Sequence, residues 1–180
     1  PTGREWARGE LLASCNRVVG GLRDLGLVRG DGVAINSPNS AEFLTVALAC
    51  TQAGWYLTPI NWHLAPAEVA YILEDCGAKA FIGHERVAET CRQATDAVGF
   101  PAAAQFAVGS VAGFRPFADL VEGQSDAMPE NRSAGTIMNY TSGTTGKPKG
   151  VKRGLAPAEV EPDLIYTMMT AFLGMFGIQA

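Results

Sequence analysis

Apolar residues along the first half of the chain switch repeatedly between helical and extended spacing. Leu11, Leu12, Cys15, Val18, Val19, Leu22 and Leu25 recur at intervals of three and four and predict a helix, closed by Gly26 where a C-terminal cap is expected. Asp31-Gly32 opens a short strand, Val33 to Asn36, and Ser37-Pro38-Asn39-Ser40 turns the chain into a second helix. There Phe43, Leu44, Ala47 and Leu48 are expected to point inward until Gly54 stops it. Trp55 to Thr58 is the next predicted strand. Pro66 suits the first turn of a third helix, whose apolar face is Val69, Ile72, Leu73 and Cys76 and which ends at Gly77. Ala80 to Ile82 predicts a strand, Val87, Cys91, Ala94 and Val98 a helix, and Ala104 to Val108 another strand.

From about Gly109 to Ser133, glycines and prolines interrupt the pattern and leave room for one helical turn at Phe117 to Val121. Gly135 to Asn139 again predicts a strand. From Pro157 a helix is expected to the end, with Leu164, Met168, Phe172 and Met175 or Phe176 on one face, a stripe that reads as core or as the lining of an aliphatic pocket. Strands separated by helices require crossover connections, so the fold class is α/β, with alternating helices and strands around a largely parallel sheet.

Composition narrows the function. With 180 residues and 47% hydrophobic content the chain can bury a real core as one globular unit. A formal charge of −4 and a pI near 5.2 argue against a general nucleic-acid or anionic-membrane binder. Cys15, Cys50, Cys76 and Cys91 are widely spaced, form no C-x-x-C pair and do not cluster with His63 or His84, so a zinc site, a disulfide frame and a nucleophile pair are all disfavoured. The N-terminus has no apolar core of a signal peptide. The uncharged run from Leu164 to Ala180 is at the lower limit for a bilayer span and contains Thr, Gly and Gln, so a buried helix and a cytoplasmic protein are expected.

The chemistry concentrates in Tyr140 to Gly150, YTSGTTGKPKG. Thr141, Ser142, Thr144 and Thr145 carry hydroxyls, while Gly143, Gly146 and Gly150 allow close backbone approach or positive φ. Lys147 and Lys149 bracket Pro148, which stiffens the turn. Hydroxyls, ammonium groups and backbone N–H groups on one loop suit the oxygens of a polyphosphate. A Walker A loop is excluded: Gly143 lies three positions before Gly146 instead of five, and Pro148 stands where the hydroxyl for Mg²⁺ is required. No Asp or Glu lies between Glu130 and Glu159, a window holding Arg132, Lys147, Lys149, Lys152 and Arg153. Lys152 and Arg153 read equally well as part of this basic cluster or as a solvated face.

The same stretch closely resembles the phosphate-loop signature of the adenylate-forming superfamily, which holds acyl-CoA synthetases, luciferases and peptide-synthetase adenylation domains. Resemblance continues through Leu11 to Asp31, with Asn16-Arg17 and Gly30-Asp31, and through Asn36 to Ser40. Ala53 to Leu64, with Pro59-Ile60-Asn61 followed by Trp62 and Leu64, is similar to fatty-acyl and related CoA ligases. Peptide-synthetase domains usually carry a Pro-Leu-Asp type of sequence there. After Val151 the family often has a Ser/Thr-His pair where this chain has Lys152-Arg153, which leaves the subgroup open.

The resemblance implies a ligase that uses ATP, Mg²⁺ and CoA as co-substrate to convert a carboxylic acid, fatty or otherwise hydrophobic, first to an acyl adenylate and then to a thioester. It implies phosphate binding by Thr141, Ser142, Thr144, Thr145, Lys147 and Lys149, with Gly143, Gly146 and Pro148 shaping the loop and Thr141 also touching the metal. The family's adenine-binding and metal-binding segments and its catalytic lysine match nothing in residues 1–180. The chain is thus expected to be the N-terminal portion of a larger adenylation domain, carrying no catalytic residue and inactive alone. Two alternatives stay open: another adenylating enzyme (an acyl-AMP ligase or a peptide-synthetase domain), and a non-catalytic nucleotide-binding module.

Overall fold

A computed structural model describes residues 6–141, 148–158 and 163. The helix expected beyond Pro157 and its Met/Phe stripe lie almost wholly outside the described residues. In chain order the elements are α1 (Arg8–Asp24), β1 (Gly32–Asn36), α2 (Ala41–Ala53), β2 (Tyr56–Ile60), α3 (Pro66–Cys76), β3 (Ala78–His84), α4 (Ala88–Val98), β4 (Gln105–Val108), β5 (Arg115–Pro116), α5 (Phe117–Val121), β6 (Thr136–Ile137), β7 (Asn139–Thr141) and β8 (Lys149–Val151).

The α/β reading holds. Strands pair in the order β5-β4-β3-β1-β2-β6, every pair parallel. From β1 the chain moves one way to β2, then returns across β1 to β3 and β4. Because such crossovers are right-handed, this reversal puts α2 on one face of the sheet and α3 and α4 on the other. Two cores result. On one face Val18, Val19 and Leu22 of α1 and Val46, Ala49 and Cys50 of α2 meet Val33, Ile35 and Leu57 of the sheet. On the other, Val69, Ile72 and Leu73 of α3 and Cys91 and Ala94 of α4 cover Ala34, Tyr56 and Phe81. Strand β1 is buried at every residue, as a parallel strand covered on both faces should be.

Local chemistry sets the helix ends. The backbone N–H of Ala65 donates to the Glu68 carboxylate at 2.8 Å, and Pro66 fills the first helical position, where no N–H is needed. Ser40 Oγ accepts from the Phe43 N–H at 3.1 Å to start α2. Gly54 and Gly77 end α2 and α3 at φ of 75° and 61°, where a side chain would be strained.

Two expectations change. In α2 the buried positions are Thr45, Val46, Ala49, Cys50, Gln52 and Ala53, while Leu44 and Leu48 are exposed and Phe43 and Ala47 are partly covered. The helix is apolar nearly all round, so periodicity could not choose its inner face. Small Ala49, Cys50 and Ala53 face inward because they let α2 sit close to α1 and the sheet. The strand expected at Gly135 to Asn139 is also divided. Only Thr136 and Ile137 pair with β2, and Asn139 begins a separate antiparallel ribbon with β8.

Delivery of that ribbon depends on Gly135. A Cβ there would lie 2.1 Å from the Cys50 carbonyl oxygen and 2.5 Å from that of Trp55, both backbone atoms that cannot step aside. Gly135→Ala should lower stability by roughly 1–3 kcal/mol, the usual cost of overpacking. Gly9→Ala, in open space on α1, should raise it by up to about 1 kcal/mol. Urea unfolding of both variants checks the pair, and equal effects would contradict this packing.

Candidate functional site

The ribbon displays the ends of the phosphate-loop sequence. Its register pairs Asn139 with Val151, Tyr140 with Gly150 and Thr141 with Lys149. Side chains alternate across a strand, so Asn139, Thr141, Lys149 and Val151 share one face and Tyr140 points to the other. The first four are exposed and Tyr140 is half-buried against the α3 side of the sheet. Thr141 and Lys149 therefore stand side by side facing solvent. Pro148 adjoins them, whereas Ser142, Gly143, Thr144, Thr145, Gly146 and Lys147 lie outside the described residues.

Several contacts fasten this ribbon. The Tyr140 hydroxyl donates to Asp75 Oδ2 at 2.5 Å. Burial, with the Asp75 carboxylate second, pushes the Tyr140 phenol well above its ordinary range, so it stays a proton donor. Beyond β8 the Tyr56 hydroxyl donates to the Arg153 carbonyl at 2.8 Å, and the Lys152 ammonium lies 4.5 Å over the Tyr56 ring. Arg29 donates to the Ala156 carbonyl. Lys152 and the Arg153 backbone thus fix the exit strand to β2, which is more than a solvated face.

Gly150 takes a different role from the one its motif suggested. It is absent from the positive-φ glycines, and a Cβ on it would lie 2.4 Å from Met138 Cε and 2.9 Å from Tyr140 Cζ. The missing side chain makes room for the tyrosine ring.

The acid-free window also divides. Arg132 donates to both carboxylate oxygens of Asp163, at 2.9 and 3.2 Å, beside a groove lined by Leu11, Leu12 and Cys15 of α1 and Leu48 and Gln52 of α2. The guanidinium holds the Asp163 carboxyl below the usual carboxylate range. Arg132 belongs to the opposite face of the sheet and leaves Lys149, Lys152 and Arg153 on the ribbon side. Among the described residues no group of three His, Cys, Asp or Glu could hold a metal ion.

Sequence reasoning missed Asp75 and Tyr56. A faint signal existed for Asp75: α3 ends on Glu74 and Asp75 with no base in its last turn, against the preference of a helix C-terminus for positive charge. A local rule broken in that way points to a partner from elsewhere in the fold.

The profile described as AMP-binding enzyme matches residues 2–154. The chain belongs to the AMP-binding enzyme family. The long-chain-fatty-acid–CoA ligase FadD13 of Mycobacterium tuberculosis is 34% identical over 145 residues, covering 79% of this chain and 28% of that protein. The indoleacetate–CoA ligase of Aromatoleum aromaticum is 31% identical over 157 residues, covering 82% and 29%. In structure the chain is similar to the anthranilate CoA ligase AuaEII in complex with anthranoyl-AMP, with a TM-score of 0.69 and 28% identity over 83% of this chain and 29% of that one. It spans less than a third of the length of these relatives. Among the described residues of this family member, no helix is long and apolar enough to cross a membrane.

The cysteines are structural. All four are buried and free, and burial raises each thiol, Cys15 and Cys91 to about 11. A folded-state pKa above the unfolded one contributes stability that is complete below the ordinary value of 9.0 and is lost as pH climbs toward 11. A thiol reagent at pH 8 should label none of the four in the folded chain and all four in urea. Unfolding free energy should be flat near pH 8 and fall between pH 9 and 11. Rapid labelling of the native protein would overturn the assignment.

Proposed function

We propose that the complete protein is an ATP-dependent acid–thiol ligase in which the stretch Thr141 to Lys149 binds the β- and γ-phosphates. The observation that carries this reading is the cross-strand pairing of Thr141 with Lys149 on the exposed face of the ribbon, within a chain of the AMP-binding enzyme family. A hydroxyl donor and an ammonium group side by side match the non-bridging oxygens of a polyphosphate, and charge-assisted hydrogen bonds make that match strong. Ser142, Thr144, Thr145 and Lys147 would add donors between them, with Gly143, Gly146 and Pro148 shaping the turn. Mg²⁺, when bound with the nucleotide, would neutralise phosphate charge.

The reaction follows from the chemistry of the acid. A carboxylate is a poor acyl donor because hydroxide leaves badly. Its oxygen attacks the α-phosphorus, the bond to pyrophosphate breaks, and the acyl adenylate forms. The sulfur of CoA then attacks the carbonyl, the thiol proton is lost, and AMP leaves. This chain would contribute by holding the pyrophosphate oxygens as negative charge builds on them, so positioning and electrostatics are its share of the work. Residues 1–180 would form the N-terminal portion of the adenylation domain, with adenine-, acyl- and CoA-binding groups supplied from outside them. Thioester formation by the 180-residue chain alone should accordingly be negligible.

For the acid, the resemblance of Pro59-Ile60-Asn61 to CoA ligases and the fatty-acyl ligase among the relatives favour a hydrophobic, fatty carboxylic acid. Indoleacetate and anthranilate ligases among the similar proteins make aromatic acids the first comparison.

Removing the ammonium tests the phosphate reading. In the complete protein Lys149→Ala should slow acyl-AMP formation by roughly 10- to 100-fold, the effect of losing one charged hydrogen bond of about 1.5–3 kcal/mol. Pyrophosphate release measured with a panel of aliphatic and aromatic acids reads rate and substrate class together. An unchanged rate at saturating Mg·ATP would sink the assignment.

A further inference from the structure

Two fastenings hold the ribbon, and they constrain different things. Tyr56, through the Arg153 carbonyl and the Lys152 ammonium, ties the strand that leaves the loop to β2. The strand that enters the loop is held from α3, by the hydroxyl of Tyr140 on the Asp75 carboxylate at 2.5 Å. Roll of the ribbon about its long axis is governed by this second tie. In a pleated strand the neighbour of an inward side chain points outward, so seating Tyr140 on α3 sends Thr141 out, and the Thr141–Lys149 register sends Lys149 out with it. Gly150 completes the seat, since any Cβ there would strike the Tyr140 ring.

We propose that Asp75, at the end of a helix far from the phosphate-loop sequence, is a positioning residue for polyphosphate binding. Its carboxylate captures the Tyr140 hydroxyl and thereby fixes the face on which Thr141 and Lys149 are displayed. The inference rests on the phosphate reading of that stretch. The position of Asp75 supports a positioning role over a purely stabilising one. It is exposed, so its removal leaves no buried orphan charge, and it sits where the helix dipole disfavours a carboxylate. A residue chosen for the stability of α3 would be a base or a neutral side chain.

The test uses Tyr140→Phe, Asp75→Ala and Asp75→Asn in the complete protein, with two readouts. Amide hydrogen exchange of Tyr140, Thr141, Gly150 and Val151 is measured without nucleotide, so it reports the tie whether or not the loop binds phosphate. Tyr140→Phe and Asp75→Ala should each raise exchange there about tenfold while the amides of β1 and β3 keep wild-type protection. Asp75→Asn, which retains an acceptor oxygen, should restore most of it. In steady-state kinetics the first two variants should raise KM for Mg·ATP about tenfold and leave KM for the acid unchanged. The double variant Tyr140→Phe/Asp75→Ala should be no worse than either single one. Unaltered exchange at the ribbon would overturn the tie. Altered exchange with unaltered KM for Mg·ATP, or equal losses for both substrates with additive effects, would overturn its role in positioning. If the wild-type protein binds no Mg·ATP by calorimetry, the phosphate reading fails on that measurement, separately from the exchange result.

Discussion

Strand β1 is buried on both faces along its whole length, and most of the architecture follows from that constraint. A strand with no solvent side needs helices above and below it. The chain meets this by running from β1 outward to β2 and back across to β3, which places α2 and α3 on opposite faces. Once α3 covers the second face, its last turn brings Asp75 within reach of the ribbon formed by β7 and β8. The orientation of the ribbon thus descends from burial of a strand to which none of the proposed phosphate-binding residues belongs.

Electrostatics are distributed by the same sheet. A mildly acidic protein gathers cations in one stretch of sequence, yet that stretch crosses from one face to the other. Arg132 remains beside α1 and α2, neutralised by Asp163. Lys149, Lys152 and Arg153 pass to the ribbon side, where Lys152 rests on an aromatic ring and Lys149 stays in solvent. Positive charge that looks continuous in the sequence is therefore divided between Arg132 beside α1 and α2 and the described cations of the ribbon side.

Much of the fold was legible because helix and strand have different periods. The α1, β1, α3, β3, α4 and β4 segments carry clear spacings and glycine or proline boundaries, and each formed within a few residues of its expected limits. Reading failed where the signal is degenerate. In α2, Leu44 and Leu48 are as apolar as Val46 and Ala49, so only close packing against α1 could decide which turned outward. The break at Met138 was invisible because no glycine or proline separates Ile137 from Asn139. β6 joins β2, far back in the chain, whereas β7 pairs with β8 shortly after it, and the segment's own residues do not show that change of partner.

The sequence by itself determined the chemistry on offer: a hydroxyl- and lysine-bearing stretch whose spacing excludes Walker A, cysteines placed as hydrophobes, and an alternating α/β order. Local periodicity and side-chain type suffice for those features, since they need no knowledge of what lies opposite. Only the tertiary structure decided that Thr141 and Lys149 share one face, that Gly150 serves the Tyr140 ring, that Arg132 belongs elsewhere, and that Asp75 bears on the site. Each of these depends on which segments meet in space. Such pairings are selected by burial and hydrogen bonding across the sheet and are not written in the local pattern of either partner.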